Sequence, residues 1–476
     1  MGDVSILSVG IDIGTATSQI VLARLVLANA AGCFEIPRVA FKDKTVLHNG
    51  VVRLTPLSPS GLLDGDALRK IAEDEYRAAG VSANDVDVGA VIATGEAARK
   101  ENAAIILESL AGMAGDFVVA MAGPDLEAVL AGRGSGAERA SRLNGSAVVN
   151  LDVGGGTANI ALFKDGAVLS KGSYDIGGRM VRVSGGVISH VSDGAARIAK
   201  TAGISAVPGM AADLRLLRDV CDHAARLLEE ALEDKTPSPL LASLVSPGAS
   251  VFRASLPIDG ICFSGGVAEC MRQGQGDYFR YGDVGPLLGE AISRTRLCSA
   301  FRRLAPAETV RATAVGAGCY SAEVSGSTIA QDDRALPLKN LPVLKLNRDE
   351  QTRCYEGDSA FLEEKIRGFM AQNGWIWPAL AFRGEANPSY ARLNALAACL
   401  SEALAKTLPP DAPFVLVLEC DTAKALGQAL RARRGGGAVV CVDSARVETG
   451  DYIDLGRPLM GGAALPIVVK TLVTGC

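Results

Sequence analysis

Histidine is almost missing from this 476-residue chain, which contains only His48, His190 and His223. None stands at ligand spacing from a cysteine or another histidine, so no zinc site is expected, and no serine-histidine-acid arrangement is readable around any of them. Long apolar runs are also absent. No stretch of about eighteen apolar residues occurs, and the N-terminus lacks a basic segment followed by an apolar one, so neither a membrane helix nor a secretory leader is expected. The eleven cysteines include no CxxC pair; they lie singly in apolar runs such as Ile261-Cys262-Phe263, which fits buried thiols in a reducing cytoplasm. The longest basic cluster is Arg431 to Arg434, and the formal net charge is −5. That balance argues against nucleic acid or a membrane as partner. Walker-A and dinucleotide fingerprints are lacking as well.

What the chain does contain is a stretch used twice. Ile11-Asp12-Ile13-Gly14-Thr15-Ala16-Thr17-Ser18-Gln19-Ile20-Val21-Leu22 is echoed without a gap by Leu151-Asp152-Val153-Gly154-Gly155-Gly156-Thr157-Ala158-Asn159-Ile160-Ala161-Leu162. Each copy reads as strand, tight turn, strand. An apolar strand with one inward carboxylate, then a glycine turn whose N–H groups can point at an anion, makes a phosphate cradle from a hairpin. Two facing cradles would grip a polyphosphate and its metal ion from both sides. Asp12 and Asp152 are the candidate catalytic residues, with a hydrated Mg²⁺ held between them. The competing reading has each aspartate capping its own turn; the in-register duplication outweighs it. Gly14, Thr15 and Thr17, with Gly154, Gly155, Gly156 and Thr157, are the candidate phosphate contacts, although threonine is also an ordinary strand former.

The length calls for two or three domains, and 48% hydrophobic with 21% charged residues is the composition of a folded globular protein. From Asp66 the recurrence of Leu68, Ile71, Ala72, Glu75 and Tyr76 predicts a helix stopped by Gly80. Val88 to Gly95 reads as a buried strand and Glu96 to Leu110 as a helix. The Gly/Arg/Ser-rich segment Arg133 to Gly145 reads as a surface connection between two lobes. Leu216 to Ala231 draws a long amphipathic helix ended by Thr236-Pro237-Ser238-Pro239. The strand Ile261-Cys262-Phe263 stops at Ser264-Gly265-Gly266, where a nucleoside would pass flat over bare backbone at Gly265 and Gly266. Ala312 to Gly318 is small-residue helix, suited to a close helix crossing. Near residue 330 the composition shifts to prolines and charges. A further α/β unit follows: strand Phe414 to Glu419, helix Thr422 to Arg433, strand Ala438 to Val442 and a last strand Ile467 to Val473. Asp421 is expected to cap that helix, and the Glu448 to Asp454 charges to coat a solvated turn. These breaks divide the chain at 1–140, 141–325 and 330–476.

The order of these elements resembles the actin, Hsp70 and sugar-kinase superfamily over about residues 6 to 320. The resemblance implies an α/β fold: two RNase H-like lobes around a cleft holding ATP and Mg²⁺, plus the C-terminal α/β region. More closely, Ile92-Ala93-Thr94-Gly95-Glu96-Ala97-Ala98-Arg99-Lys100-Glu101-Asn102, Gly115 to Ala120, Ala122 to Glu127, Phe263 to Cys270, Gly450 to Gly456 and Val468 to Leu472 are similar to the ethanolamine ammonia-lyase reactivating factors. That family uses ATP and Mg²⁺ to make inactivated ethanolamine ammonia-lyase release damaged cobalamin, so the implied partners are the lyase and, through it, adenosylcobalamin. The implied location is the cytoplasm, with a bacterial microcompartment as a candidate association. Ala16 and Ala158 stand where threonine is expected in this family, which removes hydroxyl contacts but leaves backbone contacts. Two other classes fit the superfamily: a small-molecule kinase, which would need an acceptor pocket with its own general base, and an ATP-switched scaffold.

Overall fold

In a computed structural model the described residues are 3–29, 39–114, 118–119, 123–233, 235–273, 276–320, 323–325, 329–374, 376–385, 387–443, 445, 447–458, 462 and 465–471. The first third builds a sheet from β1 (Val4–Ile13), β2 (Thr17–Asn29), β3 (Val39–Asn49), β4 (Arg53–Leu54), β5 (Val88–Ala93) and β6 (Val118–Val119). Its order is β3-β2-β1-β5-β6, with β4 added to β2. The first three strands form an antiparallel meander, and β5 and β6 continue parallel to β1. Helix α1 (Gly65–Ala79) begins where Asp64 accepts from Ala67 N and ends at left-handed Gly80. The expected helix from 96 to 110 is two pieces, α2 (Gly95–Ala98) and α3 (Ala103–Ala111). Asn102 separates them, its amide donating to Leu63 O and accepting from Leu63 N, at 2.8 and 3.2 Å. A side chain bound to a neighbouring loop competes with the helix at that point.

The middle third repeats the pattern. After α4 (Pro124–Gly134) and α5 (Ala137–Asn144) come β7 (Ala147–Val153), β8 (Ala158–Lys164), β9 (Ala167–Tyr174) and a ribbon of β10 (Val181–Ser184) and β11 (Val187–Val191). Then follow α6 (Asp193–Thr201), α7 (Leu214–Ala231), α8 (Pro239–Ser243), β12 (Gly260–Ser264), α9 (Gly266–Gln273), α10 (Gly285–Ser293) and β13 (Arg302–Leu304). The sheet order, β9-β8-β7-β12-β13, is again an antiparallel meander followed by two parallel strands. Arg133 to Gly145 is therefore no surface connection: it ends α4 and supplies all of α5, and Gly134, Ser135, Ala137, Glu138 and Ser141 are buried. Its glycines and serines serve a helix crossing and a turn, with Gly136 at φ +85°.

That crossing joins the two sheets. Helix α4 packs on β7, β8 and β9, whereas α11 (Ala312–Tyr320), which follows the second sheet in sequence, packs back on β1, β2 and β5; α4 and α11 lie against each other. A Cβ on Gly134 would run into Ala312 O, and one on Gly316 into Leu130 O. Only glycine permits this approach, as the small-residue pattern predicts.

The last third holds β14 (Glu323–Ser325), β15 (Leu338–Lys345), α12 (Arg348–Tyr355), α13 (Ser359–Gln372), β16 (Ala379–Phe382), α14 (Tyr390–Thr407), β17 (Phe414–Leu418), α15 (Ala423–Arg434), β18 (Val439–Val442), β19 (Asp451–Leu455) and β20 (Leu465–Thr471). They form one sheet, β14-β20-β19-β15-β16-β17-β18, in which β15 to β18 run parallel in sequence order. The helices that connect these sequential neighbours gather together, with α12, α13 and α15 all packing against α14. Two expectations change here. The cap of α15 falls on Thr422, not Asp421. Asp451 and Asp454 are buried, accepting from Glu448 N and Asn340 N at 2.7 Å each, so only Glu448 of that charged stretch faces solvent. The end of the predicted last strand, Leu472 and Val473, lies outside the described residues, as do Gly115 to Phe117 and Ala120 to Ala122. No helix among the described residues is long and apolar enough to cross a membrane.

Candidate functional site

Strand β1 ends at Ile13 and β7 at Val153, each one residue past its aspartate. The hairpin registers are equivalent: Asp12 faces Gln19 across β1 and β2, and Asp152 faces Asn159 across β7 and β8. The turns close identically, Gly14 N donating to Thr17 O and Gly154 N to Thr157 O, both at 2.9 Å. The two turns meet. Thr15 and Ala16 of the first lie against Gly155 and Gly156 of the second, where Cβ atoms would stand 3.1 Å from Ala16 Cβ and 3.2 Å from Thr15 Oγ1. A cavity of about 570 Å³ opens at this junction. Every residue expected from sequence lines it: Asp12, Gly14, Thr15, Thr17, Asp152, Gly154, Gly155, Gly156, Thr157, Gly265 and Gly266.

Among the described residues, neither aspartate takes a hydrogen bond from its own turn. Each instead accepts from the end of the adjacent parallel strand: Thr94 Oγ1 donates to Asp12 at 3.2 Å, and Ser264 Oγ to Asp152 at 2.6 Å. Both carboxyls are buried, which pushes Asp12 up to about 7 and Asp152 to about 6; Thr94, and Ser264 with Asn159, pull them partly back. A third carboxyl, missed in the sequence, enters from the first turn of α4. Glu127 lines the same cavity, is buried, and is pushed well above the usual glutamate value by burial and by Asp12 and Asp152. Three acids without a cation between them favour their protonated forms.

The cavity has chemistry left unsatisfied. Gln19 Nε2 donates to Val310 O at 3.0 Å while its Oε1 meets no partner; behind the wall, the buried amide of Asn159 has no partner within 3.5 Å but lies near enough to Asp152 and Glu127 to lower both. Among the described residues no group of three His, Cys, Asp or Glu side chains is close enough to chelate a metal directly. The carboxyls that could hold a hydrated cation there are Asp12 and Asp152. Gly265 has φ +87°, and a Cβ there would collide with the Val153 carbonyl; nothing lies within 4 Å of a Cβ on Gly266. Gly265 is thus required by the backbone, whereas no protein atom excludes a side chain at Gly266. Two contacts tie the lobes near the site: Arg99 pairs with Asp175 at 2.9 Å, and Arg311 donates to Gly50 O at 3.2 Å.

Two sheets with the same meander-then-parallel order, their first turns facing each other over a cavity, define the two-lobed actin-like class of nucleotide-binding folds. Within that class the chain belongs to the ethanolamine utilisation protein EutA family, whose family model matches residues 4–475. The protein named ethanolamine ammonia-lyase reactivase EutA from Salmonella typhimurium (strain LT2) is 36% identical over 469 residues, covering 98% of both chains. Its namesake from Escherichia coli (strain K12) is 35% identical over the same length and coverage. Among solved structures, ethanolamine utilization protein EutJ from Carboxydothermus hydrogenoformans aligns over 66% of this chain and 89% of its own at 18% identity, with a TM-score of 0.32.

Proposed function

We propose that this protein is an ATP-dependent reactivating factor for ethanolamine ammonia-lyase. The observation that carries the reading is the pairing of end-to-end similarity to proteins named as that reactivase with a cavity lined by both hairpin turns and by the buried carboxyls of Asp12, Glu127 and Asp152. In this reading the turns Gly14 to Thr17 and Gly154 to Thr157 hold the phosphates through hydroxyls and the N–H groups not used to close the turns, and the nucleoside crosses Gly266. Mg²⁺, when bound, would be held through water by Asp12 and Asp152 and would offset phosphate charge. Glu127, ionised once the cation is bound, orients a water. Its oxygen attacks the terminal phosphorus, the bond to the bridging oxygen breaks with its electron pair leaving on ADP, and the water proton passes to Glu127. No covalent intermediate is formed.

ATP serves here as a conformational fuel. Moving a two-state equilibrium from 1:99 to 99:1 takes ~5.5 kcal/mol of differential binding, within reach of a nucleotide gripped by two lobes. The state reached on hydrolysis loosens the lyase around damaged cobalamin, and intact adenosylcobalamin then enters. The C-terminal sheet, lying outside the cleft, is assigned to partner recognition. The deciding experiment incubates the protein with inactivated lyase. Activity should return only with ATP, Mg²⁺ and adenosylcobalamin together, yielding ADP and inorganic phosphate in equal amounts. A phosphorylated small molecule would establish a kinase instead, and recovery without nucleotide would refute the ATP-driven reading.

A further inference from the structure

Arg179 stands apart from the other residues of the cavity wall. Its backbone N donates to Gly155 O at 2.7 Å, so the residue is fixed to the middle of the second turn. Its side-chain stem passes close to Gly155, with Cδ 3.6 Å from where a Cβ would stand. The guanidinium pairs with Asp283 at a long distance, Nε to Oδ2 at 3.5 Å. Asp283 lines the same cavity and is held independently, accepting from Gly285 N at 2.9 Å. Arg182, bridged to Asp283 through the backbone, also brings its charge to bear on that carboxylate. Asp283 therefore keeps a hydrogen bond and a cation if Arg179 leaves.

We propose that Arg179 is a phosphate-binding residue whose guanidinium exchanges the Asp283 carboxylate for phosphate oxygens of the bound nucleotide. The proposal rests on the ATP reading above. A planar, always-charged fork suits phosphate better than a long contact to a carboxylate already satisfied elsewhere. The turn glycines supply N–H dipoles to the phosphates but no full positive charge, and Arg179 brings one to the same turn.

The test measures binding of ATP, ADP, adenosine and sodium tripolyphosphate to the full chain in the presence of Mg²⁺. Arg179→Ala should weaken ATP and tripolyphosphate by roughly tenfold to a hundredfold, the range of hydrogen bonds to charged groups, and leave adenosine unchanged. Arg179→Lys should lie between, since a point charge replaces a fork. Asp283→Asn should tighten ATP several-fold by removing the competing carboxylate. If Arg179→Ala and Asp283→Asn instead weaken ATP and adenosine alike, the pair is a structural brace and the assignment fails. Tripolyphosphate binding that depends on Arg179, in a protein that ignores ATP, would uphold the assignment while overturning the ATP reading. Tripolyphosphate binding indifferent to Arg179 would overturn the assignment itself.

Discussion

The two hairpin turns began as one pattern and have become unequal partners. The first carries side chains, Thr15 and Ala16, where the second carries bare Gly155 and Gly156, and the side chains of one fill the space left by the other. The supporting hydroxyls differ as well: Ser264 approaches Asp152 to 2.6 Å, Thr94 reaches Asp12 only at 3.2 Å. Asp12, with the weaker donor and the charge of Asp152 against it, rises to about 7, while Asp152 stops at about 6. Duplication supplied the geometry; divergence let one turn enter the other and left its aspartate the more dependent on added positive charge.

The largest expected effects come from removing either carboxyl. Asp12→Ala and Asp152→Ala should each cut ATP turnover at least about a hundredfold, the scale of losing a preorganised charge, with circular dichroism and melting temperature near wild type. Wild-type turnover in either would dissolve the symmetry between the turns. Next, Gly266→Val should weaken nucleotide affinity by roughly tenfold, on the order of 1.4 kcal/mol, without loss of fold, because a Cβ there meets no protein atom. Gly265→Val is the contrasting control, expected to unfold the turn through its φ of +87°.

A smaller pair of changes sharpens the asymmetry. Above pH ~6, where Asp152 is ionised, Ser264→Ala should cost about 1.5–3 kcal/mol of stability, and Thr94→Val about 0.5–1.5 kcal/mol. Equal losses by urea unfolding would mean that the two hydroxyls are interchangeable. The smallest effect is in pH dependence without divalent cations. The folded pKa values of Asp12 and Asp152 lie above the unfolded one, so the folded state binds more protons between about pH 4 and 7. Stability should therefore fall as pH rises through that window, by a few degrees of melting temperature. Asp12→Asn should flatten the slope more than Asp152→Asn does. A melting temperature that climbs with pH would contradict the buried, uncompensated carboxyls.

Much of the cleft was legible because its signals are local. A strand, a glycine turn and a strand announce themselves within a dozen residues, and so does the small-residue run of α11. Glu127, Thr94, Ser264 and Asn159 were not read from the residues as members of the site. Glu127 sits in a first helical turn, where acids are common for reasons unrelated to catalysis, and only the packing of α4 on the second sheet turns it inward. Thr94 and Ser264 matter through parallel pairing with strands far away in sequence, a register no local pattern encodes. The same limit explains Arg133 to Gly145: glycine and serine look alike in a loop and in a tight helix crossing.

The crossing of α4 and α11 has a mechanical consequence. Each helix is anchored on a different sheet, and they touch backbone to backbone at Gly134 and Gly316, with no interlocking side chains at these points. Ridges that mesh resist rotation, whereas smooth glycine surfaces let one rod roll on the other with little loss of contact. Glu127 rides near one end of α4, and Gly10 of β1 packs against Ala314 and Gly318 of α11, so a small turn at this crossing would change the spacing between Glu127 and the first hairpin turn while leaving both cores intact.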